Sequence, residues 1–360
     1  SQQQAIDKTK EKKKKAGSTG DVMELLQVEA LELEIGYRLV PLLEAENGGD
    51  LLDRIAQLRR QMAMEMGMVL PSVRVRDNLQ LSPNSYQIKL RGVVIETGEV
   101  RAELWLAMST DGSGEPLKGI KTTEPAFGLP AVWINTGQKE EAETKGYTVV
   151  GPSAVMATHL SETIKRYSAD ILSRQDVQTL LDNLKKTAEA LVTDLIPDPL
   201  SAAELHIILQ NLLRERVSIR DLASILEALS YHCRVSKDKN YLTEQCRMAL
   251  SRSICKQYQD PISNELHVIT LDPSIEEELA QGISDNGELL ALSPQFIQGL
   301  LGSVSQQVEQ ALAAQGIQPV LLCNSKVRMP LRRLIERMLP QIAVLSYNEI
   351  GPSVKAITAG

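Results

Sequence analysis

Few side chains in this 360-residue sequence have the types and spacing that chemistry demands, and each candidate set lacks a member. Gly114-Glu-Pro-Leu-Lys-Gly119 has the glycine spacing of a phosphate-cradling loop, but Ile120 and Lys121 follow where a lysine and a Mg²⁺-binding hydroxyl are required. Thr158 and His159 are adjacent, and neighbours on a helix point in different directions, so His159 reads as a helix-packing residue, not a base. His206, His232 and His267 are scattered along the chain. Asp176 with Asp182, and Glu276 to Glu278, fall at positions typical of helix caps and solvated faces. Cys233, Cys246, Cys255 and Cys323 form no C-x-x-C pair, which points to reduced, mostly buried thiols and not to zinc. G-x-S-x-G, H-E-x-x-H and G-x-G-x-x-G are absent. The expectation is a protein without catalytic residues, cofactor or metal. A nucleotide hydrolase is the enzymatic alternative, and the broken phosphate loop argues against it.

One stretch stands apart. Glu124 to Ile134, EPAFGLPAVWI, holds one of the two Phe and one of the two Trp in the chain. Pro125, Gly128 and Pro130 forbid a single regular helix, so Phe127 lies on irregular backbone, where binding residues concentrate. It is either an anchor for a partner or a core residue. Trp133, in the apolar run that follows, is assigned to the core.

The chain that must position these residues is 43% hydrophobic and 3% aromatic, so its cores are aliphatic. A net charge of −7 argues against nucleic acid as a partner. The helix-turn-helix-like span 201–230 sums to −1, where a phosphate-tracking surface would be positive. No apolar run approaches the roughly 18 residues of a membrane span, and the chain as given reads as soluble. Residues 1–20 are polar and of low complexity; six lysines against Asp7 and Glu11 leave this tract at +4 and the remainder at −11. Such a tract is a solvated flexible arm or a juxtamembrane basic linker that meets anionic lipid.

The pattern of elements is α+β. Leu31–Leu43 alternates as a strand with a bend or bulge at Gly36. A helix follows, capped by Asp50, with Leu51, Leu52, Ile55, Leu58 and Met62 at helical spacing and Gly67 at its end. Extended segments are expected over Ser72–Arg76, Tyr86–Val94 and Val100–Met108, then a short helix over Gln138–Lys145 and a strand over Tyr147–Val150. Past Gly151 the chain turns helical, with Ser153, Ser173, Ser201, Ser218 and Thr243 as N-caps and Ser201-Ala-Ala-Glu204 as a capping box. Strands over Glu265–Asp272, Pro319–Ser325 and Ile342–Ile350 alternate with helices that start at Pro273, Pro294 and Lys326, which calls for a small α/β module with parallel neighbours.

The segments GYRLVPLL, RVRDNLQLSPNSYQIKLRG, EPAFGLPAVWI, GYTVVGPSAVMATHLSETIKRYSADILSRQDVQTLLD and LQNLLRERVSIRDLASILEAL occur in this order. Together they resemble the cytoplasmic C-terminal portion of the FlhA family of type III export-gate proteins, from about Glu34 to Ser346, and the flagellar branch more than the injectisome branch. The resemblance implies an α+β multidomain fold of four subdomains behind a flexible basic linker, 1–29. These are an α+β module, 30–103 plus 152–171; an inserted ferredoxin-like or RRM-like module, 104–151; a helical module, 172–251; and a C-terminal α/β module, 252–360.

It further implies a membrane domain N-terminal to this chain, a place on the cytoplasmic face of the bacterial inner membrane, and assembly as a nine-membered ring. The implied partners are flagellar export chaperones with late substrates, components of the export ATPase complex and other export-gate subunits, with no nucleic acid and no cofactor. Carried over residue by residue, the implied chaperone site is Phe127 as the aromatic, Glu124 as an acidic rim, Thr158 as a hydroxyl, and Leu106 with Met108 as an apolar wall. Glu124 replaces the family's usual Asp, Met108 a common β-branched residue and Thr110 a common Pro. Motion between open and closed arrangements is expected, with hinges at Gly36, Gly151 and the 171–174 connection. An injectisome export gate that binds effector chaperones is the alternative within the family.

Overall fold

The computed structural model describes residues 28–109, 116–283 and 292–359. The basic tract up to residue 27, Thr110 and the glycine-spaced loop through residue 115 lie outside them. The chain divides into two units, the first ending at Ile171 and the second starting at Leu172.

The first unit contains two four-stranded sheets. β1 (Leu31–Ile35), β2 (Val73–Asp77), β3 (Ser85–Leu90) and β4 (Val93–Glu99) form one, in the order β2-β1-β3-β4. β1 runs parallel to β2 and antiparallel to β3. β5 (Trp105–Met108), β6 (Ile120–Thr123), β7 (Pro130–Ile134) and β8 (Thr148–Val150) form the other, antiparallel throughout, in the order β6-β7-β5-β8. The helices are α1 (Leu51–Glu65), α2 (Lys139–Thr144), α3 (Pro152–Arg166) and α4 (Ser168–Ile171). α3 packs on α1 and on β5.

Several expected boundaries move. The strand expected over Leu31–Leu43 stops at Ile35, and Tyr37–Leu42 is a 3₁₀ segment containing Pro41. Gly36 marks that change of course: a Cβ there would lie 2.3 Å from the Ser82 carbonyl oxygen and 2.6 Å from that of Pro83, so backbone packs on backbone. The single strand expected over Tyr86–Val94 is a hairpin. Arg91 (φ 49°) and Gly92 (φ 80°) are both left-handed, the geometry of a two-residue turn that matches strand twist. Asp50 holds the N-cap position of α1 as expected, but its carboxylate makes no capping bond and accepts instead from Arg54 Nε at 2.7 Å; Leu52 is 50% exposed. α3 is capped by Gly151, with Pro152 in its first turn, and not by Ser153.

The second unit begins with α5 (Arg174–Lys185), α6 (Glu189–Thr193), α7 (Ala202–Arg214), α8 (Leu222–His232), α9 (Lys239–Ala249) and α10 (Ser251–Tyr258). The capping boxes at Ser173 and Ser201 are formed. The caps expected at Ser218 and Thr243 are taken by Asp221 and Asp238, whose carboxylates reach the first-turn N–H groups. Thr243 lies inside α9 and donates to the Lys239 carbonyl at 2.7 Å.

The α/β part has β9 (Glu265–Thr270), α11 (Pro273–Gln281), α12 (Pro294–Gln315), β10 (Val320–Cys323), α13 (Ser325–Ile335), β11 (Val344–Ser346) and β12 (Lys355–Thr358). The sheet is parallel, in the order β11-β10-β9-β12. Its core joins Leu279, Leu300, Val304, Val308, Leu321, Cys323, Leu331 and Val344. The four cysteines are buried and free.

A buried ionic network ties the helices of this unit to its sheet. Arg328 on α13, fully buried, donates to both Glu215 oxygens at 2.6 and 3.0 Å, to Glu244 on α9 at 2.7 Å and to the Val344 carbonyl at 3.3 Å. Arg247 donates to Glu215 at 3.1 Å and pairs with Glu349 at 2.7 Å. Burial alone would raise the Glu215 pKa, but the Arg328 and Arg247 guanidiniums outweigh it and hold the carboxyl at about 2. A depressed carboxyl stabilises the fold above its unfolded value of 4.5, and that stability drains away as pH falls toward 2. Acid titration of the second unit should therefore lose stability across this window, and Glu215→Gln should flatten the loss. Urea unfolding at a series of acid pH values reads it.

Candidate docking site

The site is built at one end of the β5–β8 sheet. β6 and β7 form a hairpin with Thr123 opposite Pro130, and residues 124–129 are its loop. Met108, the last residue of β5, pairs with Ala131 and Thr148, which places it at the loop end of the sheet.

The loop is fixed by one side chain. The Glu124 carboxylate turns back and accepts from the backbone N–H of Ala126 at 2.9 Å and of Phe127 at 2.7 Å. The Glu124 N–H donates to the Leu129 carbonyl at 2.8 Å, and the Gly128 N–H to the Glu124 carbonyl at 3.0 Å. Gly128 completes the turn at φ +72°. A Cβ at Gly128 would meet nothing within 4 Å, so Gly128→Ala should cost only the left-handed backbone penalty, about 1 kcal/mol. Thermal unfolding should show that modest loss, and a larger one would mean the loop packs more tightly than this.

The outcome is an aromatic ring presented to solvent: Phe127 is 61% exposed on a hydrogen-bonded turn, which removes the core-anchor reading. Thr158 is exposed on α3 and Met108 is half-buried. Glu124, implied as an acidic rim, is 3% exposed, and Leu106, implied as a wall, is fully buried. Those two implications are corrected: both residues support the site from beneath and offer no surface in this conformation. Sheet register explains Leu106. It shares a face with Met108, Trp133 and Val150, while Ala107 and Ile134 face the other way onto Ala142 of α2. Trp133 is buried, as the apolar run suggested. Gly151 caps α3, where a Cβ would rest 3.4 Å from the Trp105 ring.

His159, read from the sequence as a helix-packing residue, has a buried partner that the sequence did not single out. Tyr86 Oη on β3 and His159 Nδ1 share a hydrogen bond of 2.8 Å, and both side chains are buried. Burial drives the Tyr86 pKa upward, with the nearby charges of Glu124 and Glu96 adding to it. Burial also lowers the His159 pKa, against the pull of Glu96 and Glu124. Among the described residues, no group of His, Cys, Asp and Glu could hold a metal ion, and no helix is long and apolar enough to cross a membrane.

Comparison with known proteins decides the family. The FHIPEP family matches residues 1–355. This chain belongs to it. The flagellar biosynthesis protein FlhA of Bacillus subtilis is 40% identical over 346 residues, covering 95% of this chain and 51% of that protein. FlhA of Yersinia enterocolitica is 43% identical over 324 residues, covering 89% and 46%. The chain thus spans about half the length of these relatives. Among solved structures, the Chlamydia pneumoniae CdsV and CdsO complex matches with a TM-score of 0.82 and 28% identity, over 93% of this chain and 97% of that one. Nonameric EPEC SctV-C shares the fold, with a TM-score of 0.75 and 22% identity over 93% and 98%. The α+β multidomain architecture expected from the sequence is that of the cytoplasmic domains of these export-gate proteins.

Proposed function

We propose that this chain is the cytoplasmic docking platform of a flagellar type III protein export gate, and that it binds export chaperone–substrate complexes at the Phe127 turn. It performs no catalysis; it selects cargo and orders its delivery to a membrane channel at the bacterial inner membrane. The observation that carries the reading is Phe127, 61% exposed on a turn whose backbone is pinned by the buried Glu124 carboxylate. An exposed aromatic on fixed backbone pays little ordering cost on binding, which suits it to anchor the apolar face of a partner helix. Met108 and Thr158 would flank it; methionine adapts to more than one partner.

The assembly reading draws on relatives. SctV-C is a nonamer and CdsV forms a complex with CdsO. We carry over a homo-oligomeric ring and contact with other export components to this chain. The flagellar branch is favoured over the injectisome branch because FlhA relatives share 37–43% identity, against 28% for CdsV.

Titration of the chain with a flagellar late-substrate chaperone bound to its cargo, beside a virulence effector chaperone, separates the two branches. Binding of the flagellar complex alone is expected. Binding of the effector chaperone alone would move the assignment to an injectisome, and a thermal shift on addition of ATP would contradict the non-enzymatic reading.

A further inference from the structure

We propose that the turn over residues 260–265 is a second docking turn, and that its occupant is an acid-rimmed apolar helix of the export chaperone–cargo complex. The inference rests on the docking reading above and extends it to a second surface.

The two turns share one frame of hydrogen bonds. Each opens on a carboxylic acid followed by proline, Glu124-Pro125 in the first unit and Asp260-Pro261 in the second. The Asp260 carboxylate accepts from the N–H of Ile262 at 2.9 Å and of Ser263 at 2.7 Å. These are the positions and distances at which Glu124 holds Ala126 and Phe127. The Asn264 N–H donates to the Asp260 carbonyl at 2.9 Å, as Gly128 does to Glu124 at 3.0 Å. The Asp260 N–H donates to the Glu265 carbonyl at 2.9 Å, as Glu124 does to Leu129 at 2.8 Å. Asn264 stands at φ 56° where Gly128 stands at 72°, and asparagine tolerates that region better than most side chains. Each turn leads into a strand, β7 or β9. One feature differs: the exposed apolar residue is the third beyond the acid in the first turn, Phe127, and the second in the other, Ile262.

What this turn displays is not what holds it together. Ile262 is 90% exposed and serves the frame through its N–H, so a plain connector between α10 and β9 would do as well with a polar residue there. The frame is braced from α10 and its end: Gln259 Nε2 donates to the Asn264 carbonyl at 3.0 Å and Lys256 Nζ to Asn264 Oδ1 at 2.8 Å. An aliphatic side chain on fixed backbone pays little ordering cost on binding, as Phe127 does. Charge then selects the partner. Arg252 and Lys256 are exposed and four residues apart on one face of α10, and among the described residues neither has a carboxylate partner. Lys355 on β12 is already neutralised by Glu265. The surface beside Ile262 is an apolar point with a basic flank, which complements an amphipathic helix whose apolar stripe is bordered by carboxylates. The shared frame assigns that helix to the class of partner that the Phe127 turn takes.

Calorimetry of the whole chain with a flagellar late-substrate chaperone bound to its cargo tests this, with Ile262→Ala, Arg252→Glu and Phe127→Ala side by side. Ile262→Ala leaves every bond of the frame in place, so it should fold as the wild type does and bind roughly tenfold more weakly. Arg252→Glu makes none of the turn's bonds and should weaken binding more at low salt than at high salt. Asp260→Ala should lower affinity as Ile262→Ala does, and Asp260→Asn, whose oxygen still accepts both N–H groups, should keep most of it. Unchanged affinity in Ile262→Ala would overturn the proposal, and so would a loss in Arg252→Glu that salt does not alter. Self-association of the chain that Ile262→Ala abolishes, with chaperone binding intact, would make a second copy the occupant and overturn it as well. If Phe127→Ala binds normally while Ile262→Ala does not, the Phe127 reading falls and this one stands; the opposite pattern overturns this one alone. A wild type that binds no chaperone–cargo complex overturns both.

Discussion

Arg328→Ala is expected to destabilise the second unit by about 3–5 kcal/mol, a large fraction of what holds a domain folded. Deleting Arg328 leaves Glu215 and Glu244 facing one another without the guanidinium that bridges them, and Glu215 loses two of its hydrogen bonds. Arg247 remains beside Glu215 but is itself divided between Glu215 and Glu349, so neutralisation is incomplete. The cost is the penalty of stranding buried carboxylates, not the strength of a single ion pair. The double variant Arg328→Ala/Glu244→Ala should therefore cost less than the two single variants added together. Urea unfolding followed by circular dichroism checks this; a loss below about 1 kcal/mol for Arg328→Ala would mean that water replaces the guanidinium freely.

Much of the fold could be read from the sequence because its signals are local. Pro294 in the first turn and Gly316 at φ +65° bracket α12 from Pro294 to Gln315, where the sequence placed it. The serine capping boxes at 173 and 201 carry their acid three residues on. Where two side chains compete to cap, sequence does not say which one reaches: Asp221 prevails over Ser218 and Asp238 over Thr243. The Arg91-Gly92 turn was missed because arginine seldom adopts a left-handed backbone. β12 was missed because a four-residue edge strand, mostly exposed, has no apolar run to announce it.

The site divides in the same way. Pro125 and Gly128 announce irregular backbone around Phe127, but they leave open whether the ring is an anchor or core, and only the folded loop shows it exposed. Nothing local announces that Glu124 bends inward to its own turn or that Leu106 faces the inner side of its sheet. Glu215 and Arg328 are separated by 113 positions, and only the folded chain brings them together.

Phe127→Ala is expected to weaken binding of a chaperone–cargo complex by about 2 kcal/mol or more, some 30-fold or greater. The substitution removes an exposed ring and leaves intact the hydrogen bonds that shape the turn, since Ala126, Phe127 and Gly128 contribute to them only through backbone N–H groups. Stability should change little, because a residue that is 61% exposed gives up only a small buried apolar area on truncation. A drop in affinity therefore reports docking and not folding. Isothermal calorimetry of this chain with a flagellar late-substrate chaperone bound to its cargo, wild type beside Phe127→Ala, tests the central claim most directly. Tight binding by the wild type that collapses in an equally stable Phe127→Ala is the predicted result; equal affinity in the two proteins would contradict it and place the docking site elsewhere.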